Sequence, residues 1–150
     1  MIELPEKLAR FLSKGAPALL LTVGRDGFPN TAYTWVLVPD TKRIRFTVDQ
    51  GKGTLANLEI NDASALQIVG TGDILFLVKG HSQMIKERIE AAPFPIAMME
   101  MFPVELKDQS WGDVVVEPLS YKWPDAQREE KLAMENAIYT EMSSAEVMEK

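Results

Sequence analysis

Apolar positions in the first fifty residues change from a helical spacing to a strand-like one. Apolar residues three or four positions apart predict a short amphipathic helix over 5–14. The continuous apolar run at 18–23 is typical of a buried strand, and Asp26-Gly27 after it is a hairpin signal. Return strands are predicted at 29–38 and at 43–48, where basic or polar residues alternate with apolar ones. The three strands predict an antiparallel meander.

Short predicted elements continue from residue 54 to residue 119. Residues 54–60 have the pattern of a short helix, with Thr54 predicted as its N-cap. The other predicted elements are strands at 64–69, 74–85, 102–107 and 114–119 and a helix at 85–92. Six or seven short strands with peripheral helices predict a mainly β fold, a closed or split antiparallel barrel, because closure removes exposed sheet edges.

The last segment, 125–150, reads as a charged helix separate from the barrel of residues 1–124. It has a thin apolar stripe, formed by Leu132, Met134, Ile138 and Met142. A narrow stripe on a charged helix is typical of a docking face. We expect the helix to pack on the barrel or on a second copy of the chain.

Composition narrows the chemistry. The 150 residues include no cysteine, which excludes thiol catalysis and thiolate metal sites, and no metal site is predicted. The net charge of −6 argues against nucleic acid as a partner. No apolar run reaches the roughly 18 residues of a membrane span, and the charged first residues do not resemble a signal peptide. We therefore expect a cytoplasmic protein with no membrane partner.

The segment 46–57, where a strand is followed by a helix, has residues suited to binding phosphate. Gly51 and Gly53 flank Lys52, and Thr54 and Asn57 follow in the first turns of the helix. Glycines allow close backbone approach, and a helix start offers free N–H groups to an anion. The alternative is an ordinary helix after a glycine-rich turn, since the full Walker pattern is missing.

Four segments, in their order and spacing, resemble the pyridoxamine 5′-phosphate oxidase-like FMN-binding split barrels. They are Gly27-Phe28-Pro29-Asn30, Arg43-Ile44-Arg45-Phe46-Thr47-Val48, Thr54-Leu55-Ala56-Asn57-Leu58 and Val78-Lys79-Gly80, and the resemblance covers roughly residues 5–122. It implies FMN as the cofactor and a homodimer with the flavin at the subunit interface. Each site would then be completed by the partner subunit.

The resemblance also implies roles for individual residues. Residues near the flavin ring would be Asn30, Thr31, Thr34 and Trp35. Those lining the flavin mainly with backbone would be Thr47, Val48, Asp49 and Gln50. Those holding the phosphate would be Lys52, Thr54 and Asn57. Many relatives have a basic residue where Gly53 stands, so Arg45 or Arg43 is a further candidate for the phosphate charge.

The chain departs from true pyridoxamine phosphate oxidases. It has one histidine, His81, and an acidic C-terminal region, so the substrate-phosphate site of those enzymes is not expected. The resemblance implies an FMN-dependent oxidoreductase acting on a small molecule, with electrons from a nicotinamide or another donor. No catalytic residue can be named, since the flavin carries the electron chemistry. The alternatives are a non-catalytic flavin carrier or sensor, or a deazaflavin- or haem-binding protein.

Overall fold

Six antiparallel strands close into a barrel in the computed structural model, which describes residues 2–145. The strands are β1 (Ala16–Val23), β2 (Pro29–Asp40), β3 (Arg43–Asp49), β4 (Ala63–Gly70), β5 (Ile74–Lys86) and β6 (Ile96–Asp108). Their order around the barrel is β1-β2-β3-β6-β5-β4, with β4 closing on β1. The predicted mainly β split-barrel architecture is confirmed, with six strands.

Three helices lie around the barrel. They are α1 (Glu6–Leu12), α2 (Gly53–Ile60) and α3 (Arg128–Ser144), and a single 3-10 turn (Asp125–Gln127) precedes α3. Within residues 2–145, no helix combines the length and apolar character that crossing a membrane requires. Leu8 and Leu12 of α1 are fully buried in the same apolar cluster as the barrel interior.

The barrel interior follows the period of two that strands impose on their side chains. Burial alternates residue by residue along β1 and β4, so one face of each strand fills the core. Leu20, Phe46 and Phe76 are among the largest side chains inside. This core holds β2 and β3 in register, with Val36 opposite Phe46.

A second apolar cluster lies outside the barrel, beneath α3. Ile138 and Met142 of α3 are buried against Leu37, Ile89 and Met98. Leu132, at the start of the predicted stripe, is 45% exposed. The structure therefore seats α3 on the outer face of its own barrel, through the second half of the stripe. The final residues of the predicted segment, 146–150, lie outside the described residues.

The helix predicted at 85–92 is wrong. β5 runs on to Lys86, and the following segment, 87–95, folds back as a loop closed by the Ile89 N–H, which donates to the Ile96 carbonyl over 2.9 Å. Ile85, Ile89 and Ala92 are all buried in the cluster beneath α3. These three apolar residues are spaced as in a helix only because each of them packs beneath α3.

The strand predicted at 114–119 is also wrong. Its backbone forms a single bridge, between Val116 and Gly72, and the neighbouring Val115 is 77% exposed. A further hydrogen bond, from the Leu119 N–H to the Val69 carbonyl over 3.1 Å, does not extend this bridge into a strand. The predicted strand at 102–107 is the second half of β6. Its first half was missed because Met98 packs beneath α3 while Met99 packs in the barrel, so both faces are apolar and no alternation is visible.

Candidate functional site

The chain turns sharply between β3 and α2. Gly51 has a φ of +75°, a left-handed conformation that favours glycine. α2 begins at Gly53, so the N-cap position belongs to Lys52 with an extended backbone, and the prediction of Thr54 as N-cap is wrong. No side chain of the described residues caps this helix start. The first N–H groups of α2, including that of Thr54, are therefore free to bind an anion.

A pocket of about 460 Å³, here called the hairpin pocket, lies between the α2 start and the turn that joins β1 to β2. It is lined by Gly24, Arg25, Asp26, Asn30, Thr31, Gly53, Thr54 and Asn57. Four of the predicted site residues, Asn30, Thr31, Thr54 and Asn57, thus meet here. Arg25, in the turn that joins β1 to β2, adds a cationic side chain that was not among the predicted site residues.

Gly24 and Asn57 define the floor of the hairpin pocket. The Asn57 amide donates to the hydroxyl of Thr22 over 3.1 Å, which fixes the side chain's orientation. A Cβ atom on Gly24 would lie 3.2 Å from the Asn57 Oδ1 atom and 3.2 Å from a carboxylate oxygen of Asp26. Only glycine therefore leaves the floor open at this point.

A smaller pocket of about 60 Å³ continues from the hairpin pocket along β3. It is lined by Ala32, Tyr33, Thr47, Val48, Asp49, Lys52 and Thr54. Thr54 also lines the hairpin pocket, and Tyr33, Thr47 and Asp49 also line the cleft described next. The three concavities therefore form one groove across the outside of β2 and β3, here called the site groove.

The groove opens where β2 and β3 separate. Their backbone pairing ends at Val36 and Phe46. Beyond that point the hydroxyl of Thr34 donates to the Thr47 carbonyl over 2.6 Å and accepts from the Thr47 N–H over 3.1 Å. The Thr34 side chain thus takes the hydrogen bonds of the Thr47 N–H and carbonyl groups, which the backbone of β2 would otherwise make. Two predicted site residues, Thr34 and Thr47, hold this opening.

The far end of the site groove is an aromatic cleft of about 400 Å³. It is lined by Tyr33, Thr34, Trp35, Thr47, Asp49, Phe94, Ile96, Ser120, Tyr121 and Trp123. The Trp35 and Phe94 ring centroids are 6.3 Å apart, and Tyr33 meets Tyr121 edge to face at 5.9 Å. Phe94, Tyr121 and Trp123 were missed as site residues because they lie in irregular segments, which the tertiary fold alone brings to the cleft.

A hydrogen-bond chain ties the cleft to α3. The Trp35 indole N–H donates to the Tyr121 hydroxyl, which donates in turn to a Glu135 carboxylate oxygen. The Trp123 indole N–H donates to the same oxygen over 2.9 Å. Burial, reinforced by the hydrogen bond to Glu135, raises the pKa of the Tyr121 phenol above its usual range. Tyr121 therefore stays protonated at neutral pH.

The structure does not bring Arg45 to the site groove. Arg45 is 3% exposed, and its Nε donates to Glu100 Oε2 over 2.9 Å while Nη1 donates to the Met142 carbonyl over 2.8 Å. Arg43 forms a forked ion pair with Asp40. Both arginine side chains are committed to the outer face near α3, away from the α2 start.

Gln50 is likewise engaged in structure. Its N–H donates to the Pro95 carbonyl over 3.1 Å, and its side-chain amide donates to the Glu87 carbonyl. Gln50 therefore holds the 87–95 loop beside the cleft and does not line the groove. Val48, although 4% exposed, lines the small pocket, and Asp49 lines both that pocket and the cleft.

His81 lies outside the site groove, on β5. Its Nδ1 is 2.9 Å from an Asp62 carboxylate oxygen, and both side chains are exposed. Across residues 2–145, acidic and histidine side chains do not gather in threes as a metal ion would require.

Comparison with known proteins identifies the fold. No family model matches the chain, and no curated protein matches it. Among solved structures, an F420 reductase is 18% identical, with a TM-score of 0.59 over 71% of this chain and 100% of that one. A Clostridium acetobutylicum protein related to general stress protein 26 of B. subtilis, of the pyridoxinephosphate oxidase family, is 12% identical, with a TM-score of 0.57 over 75% and 91%.

HutZ, the heme storage protein from Vibrio cholerae, is 14% identical, with a TM-score of 0.52 over 68% of this chain and 90% of that one. At these identities the likeness shows the fold. The resemblance to the split barrels of pyridoxamine 5′-phosphate oxidase-like proteins is therefore confirmed at the level of the fold.

Proposed function

We propose that this chain is an FMN-binding flavoprotein whose site groove holds the cofactor, with the phosphate at the α2 start and the ring in the aromatic cleft. One observation carries the proposal: a single groove joins an uncapped helix N-terminus to an aromatic cleft. FMN has the matching polarity, because an anionic phosphate and a planar apolar ring stand at opposite ends of a hydroxylated chain.

The residues at the phosphate end fit an anion. Arg25 and Lys52 supply positive charge, and the Thr54 hydroxyl and the free N–H groups of α2 supply neutral donors. The helix dipole adds partial positive charge at the same place. The hairpin pocket, with a volume of about 460 Å³, has room for an anion of phosphate size beside Asn57.

The residues at the ring end fit a planar apolar group. Ring faces of Trp35 and Phe94 and the side chain of Ile96 line a cleft in which apolar surface predominates. Burying a flat aromatic ring there is favourable because apolar area leaves water and ring–ring contacts form. Between the two ends, the backbone around Thr47 and Asp49 would face the sugar-like chain.

Bound FMN would supply hydride or electron transfer to a small molecule. The chain's own residues would bind and orient it: Thr54 and Lys52 at the phosphate, Trp35 against the ring. Tyr121, whose pKa is raised, would stay protonated and would not take up a proton as a base. The reducing equivalents would come from a nicotinamide or another donor.

A non-catalytic flavin carrier or sensor is the second candidate. It is favoured by the side chains that line the groove, because none of them is a histidine and the Tyr121 pKa is raised away from neutrality. Histidine, the side chain that most often serves as a general acid or base near neutral pH, is therefore missing from the lining residues that the structure describes.

A deazaflavin is compatible with the same groove, and the F420 reductase among the structural neighbours supports testing it. Haem is less well supported, although HutZ is a heme storage protein, because the single histidine lies outside the groove.

We further propose a homodimer whose second copy covers the site groove. The groove is an open surface feature, and aromatic side chains beside it are exposed, with Phe28 at 69% and Tyr33 at 49%. Large exposed aromatic side chains next to a concave surface are typical of an interaction face.

The experiment is a titration of the purified apo-protein with FMN and with riboflavin, followed by fluorescence quenching and by the thermal unfolding midpoint. We expect both flavins to bind and FMN to bind more tightly, since only FMN has the phosphate. Absence of binding, or equal affinity for the two flavins, would overturn the proposal.

The visible spectrum of the protein as purified separates the rival cofactors. Two bands in the blue and near ultraviolet indicate flavin, one band near the violet end indicates deazaflavin, and a sharp Soret band indicates haem. For a flavin-loaded protein, rapid bleaching by reduced nicotinamide favours the enzyme over the carrier.

A further inference from the structure

The aromatic cleft is built by α3 as well as by the barrel. Glu135 of α3 accepts hydrogen bonds from Tyr121 and from Trp123, which form one wall. Six residues further along, the Glu141 carboxylate accepts from the Glu90 N–H at 2.9 Å and the Ala91 N–H at 2.8 Å. These two residues belong to the 87–95 loop, which also carries Phe94, another lining residue of the cleft. Two carboxylates of one helix thus hold two of the segments that line the cleft.

The contacts of Glu135 decide how the two rings are presented. The Tyr121 hydroxyl and the Trp123 indole N–H both donate to the carboxylate, so the hydrogen-bond donors of both side chains are satisfied by α3. The Lys131 ammonium, 5.7 Å from the Trp123 ring centroid, adds a second contact from α3. Tyr121 and Trp123 also meet edge to face at 5.6 Å, so one ring restrains the other.

The segment that carries these rings has little support of its own. Residues 109–124 contain one backbone bridge, at Val116, and no strand or helix. A further backbone hydrogen bond ties the segment to the barrel, from the Leu119 N–H to the Val69 carbonyl over 3.1 Å, and Tyr121 and Trp123 lie beyond it. Their positions therefore depend on side-chain contacts, and Glu135 supplies the acceptor for both.

We propose that Glu135 is a positioning residue for the ring end of the site groove: it orders the Tyr121 and Trp123 rings and thereby sets the affinity for a planar ring, whatever the charge of the group at the other end. This inference rests on the proposed flavin function. In this view, α3 sets the affinity for the flavin ring, and the start of α2 sets the preference for a ligand with a phosphate.

The test compares Glu135→Ala with Glu129→Ala, a control that removes an exposed carboxylate from the first turn of the same helix. We expect Glu135→Ala to weaken FMN and riboflavin by the same factor, about tenfold, a change typical of one well-placed contact. The ratio of the two affinities should stay at the wild-type value. Glu129→Ala should leave both affinities unchanged.

Two results would overturn the inference: unchanged affinity for both flavins, or a loss confined to FMN. A purely structural role would lower the thermal midpoint but leave the affinity of the folded protein unchanged, and this result also counts against positioning. Glu135→Gln keeps an acceptor oxygen and should restore most of the affinity.

A second readout does not involve flavin. Acrylamide quenching of tryptophan fluorescence in apo-protein, in a Trp111→Phe background, reports on Trp35 and Trp123. We expect Glu135→Ala to increase quenching because Trp123 loses its acceptor. If wild type binds no flavin, the proposed function fails while this readout still decides whether Glu135 orders the wall.

A variant that keeps an aromatic side chain at position 123 covers the case in which Glu135→Ala does not fold. Trp123→Phe removes the indole N–H that donates to Glu135, and we expect it to weaken the binding of both flavins to a similar extent. Wild-type affinity for both flavins in Trp123→Phe would contradict the inference.

Discussion

Arg45 and Glu100 form a buried ion pair on the outside of the barrel, with 2.9 Å between Arg45 Nε and Glu100 Oε2, and α3 covers them. Arg45 also donates to the Met142 carbonyl in the last turn of α3. The second Glu100 oxygen has no hydrogen-bond partner among the described residues. Arg45, which the sequence suggested as a phosphate-binding residue, therefore attaches α3 to the barrel.

Arg45→Met should destabilise the protein without changing its preference for FMN over riboflavin. Removing Arg45 leaves the buried Glu100 with only the longer ion pair to Arg43, at 3.6 Å. We therefore expect a loss of about 3 kcal/mol of unfolding free energy, the lower end of the range for a broken buried ion pair. Urea unfolding measures this loss. The double variant Arg45→Met/Glu100→Leu should recover most of it, since neither charge remains. An intact stability together with a lost FMN preference would instead place Arg45 at the phosphate.

Thr54→Ala should weaken FMN and leave riboflavin unchanged. The hydroxyl lies in the first turn of α2 and would donate to the phosphate, so its loss should cost about 1–2 kcal/mol of binding free energy. Parallel fluorescence titrations with the two flavins measure the difference. Thr54→Ser retains the hydroxyl and should bind like wild type. A similar loss for riboflavin would contradict a phosphate contact.

Asn57→Ala should lower both FMN affinity and stability. Its amide donates to the Thr22 hydroxyl, which is buried, so the variant leaves that hydroxyl without this donor as well as removing a group from the hairpin pocket. We expect a loss of about 1 kcal/mol in unfolding free energy, measured in the absence of flavin. Unchanged stability would indicate that Asn57 does not hold Thr22 in solution.

Gly24→Ala should reduce FMN affinity by narrowing the hairpin pocket. The new methyl group would lie 3.2 Å from the Asn57 Oδ1 atom and 3.2 Å from an Asp26 carboxylate oxygen, so these side chains must shift within the pocket lining. Gly112→Ala, where a Cβ meets nothing within 4 Å, is the matched control. Wild-type FMN affinity in Gly24→Ala would show that the ligand does not use this floor.

Glu141 should make the attachment of the 87–95 loop sensitive to acid. Burial alone would raise the pKa of Glu141, but the Lys86 ammonium and the N–H groups of Glu90 and Ala91 hold it below its ordinary 4.5. With the folded-state pKa lowered, the stabilisation is complete above about pH 4.5 and is lost as the pH falls through the folded pKa.

Unfolding curves of wild type and Glu141→Gln at a series of pH values measure this effect. We expect wild type to be the more stable protein near neutral pH, and the difference to shrink as the pH falls below about 4.5. Other carboxylates titrate in both proteins and cancel. A difference that stays constant down to about pH 3 would contradict the role given to Glu141.

Local patterns in the sequence were sufficient for the first half of the fold. The meander of β1, β2 and β3 was predicted because short turns join the strands, and each strand carries either a continuous apolar run or alternation. The α2 region was predicted from a glycine-rich turn before an apolar helix. Its start was placed at Thr54 and not at Gly53, because residue type alone does not reveal which residue has the extended cap backbone.

Apolar periodicity gave wrong predictions where neighbouring residues of one segment are buried against different parts of the protein, or where a loop packs against a helix. β6 faces the barrel core with Met99 and α3 with Met98, so its strand period is hidden. In the 87–95 loop, Ile89 and Ala92 pack against the same helix from a non-helical backbone. Neither arrangement can be read from periodicity, since periodicity assumes one partner and one regular backbone.

The sequence by itself determined the barrel class, the absence of cysteine chemistry and the glycine-rich turn before α2 with Lys52 and Thr54, because these depend on composition and on residues adjacent in the chain. Only the tertiary structure decided that Arg45 belongs to Glu100 and that Phe94, Tyr121 and Trp123 line a cleft with Trp35. These contacts join residues up to 97 positions apart in the sequence, as in the hydrogen bond from Arg45 to Met142. Residues so far apart in the chain meet only when the barrel and α3 pack together.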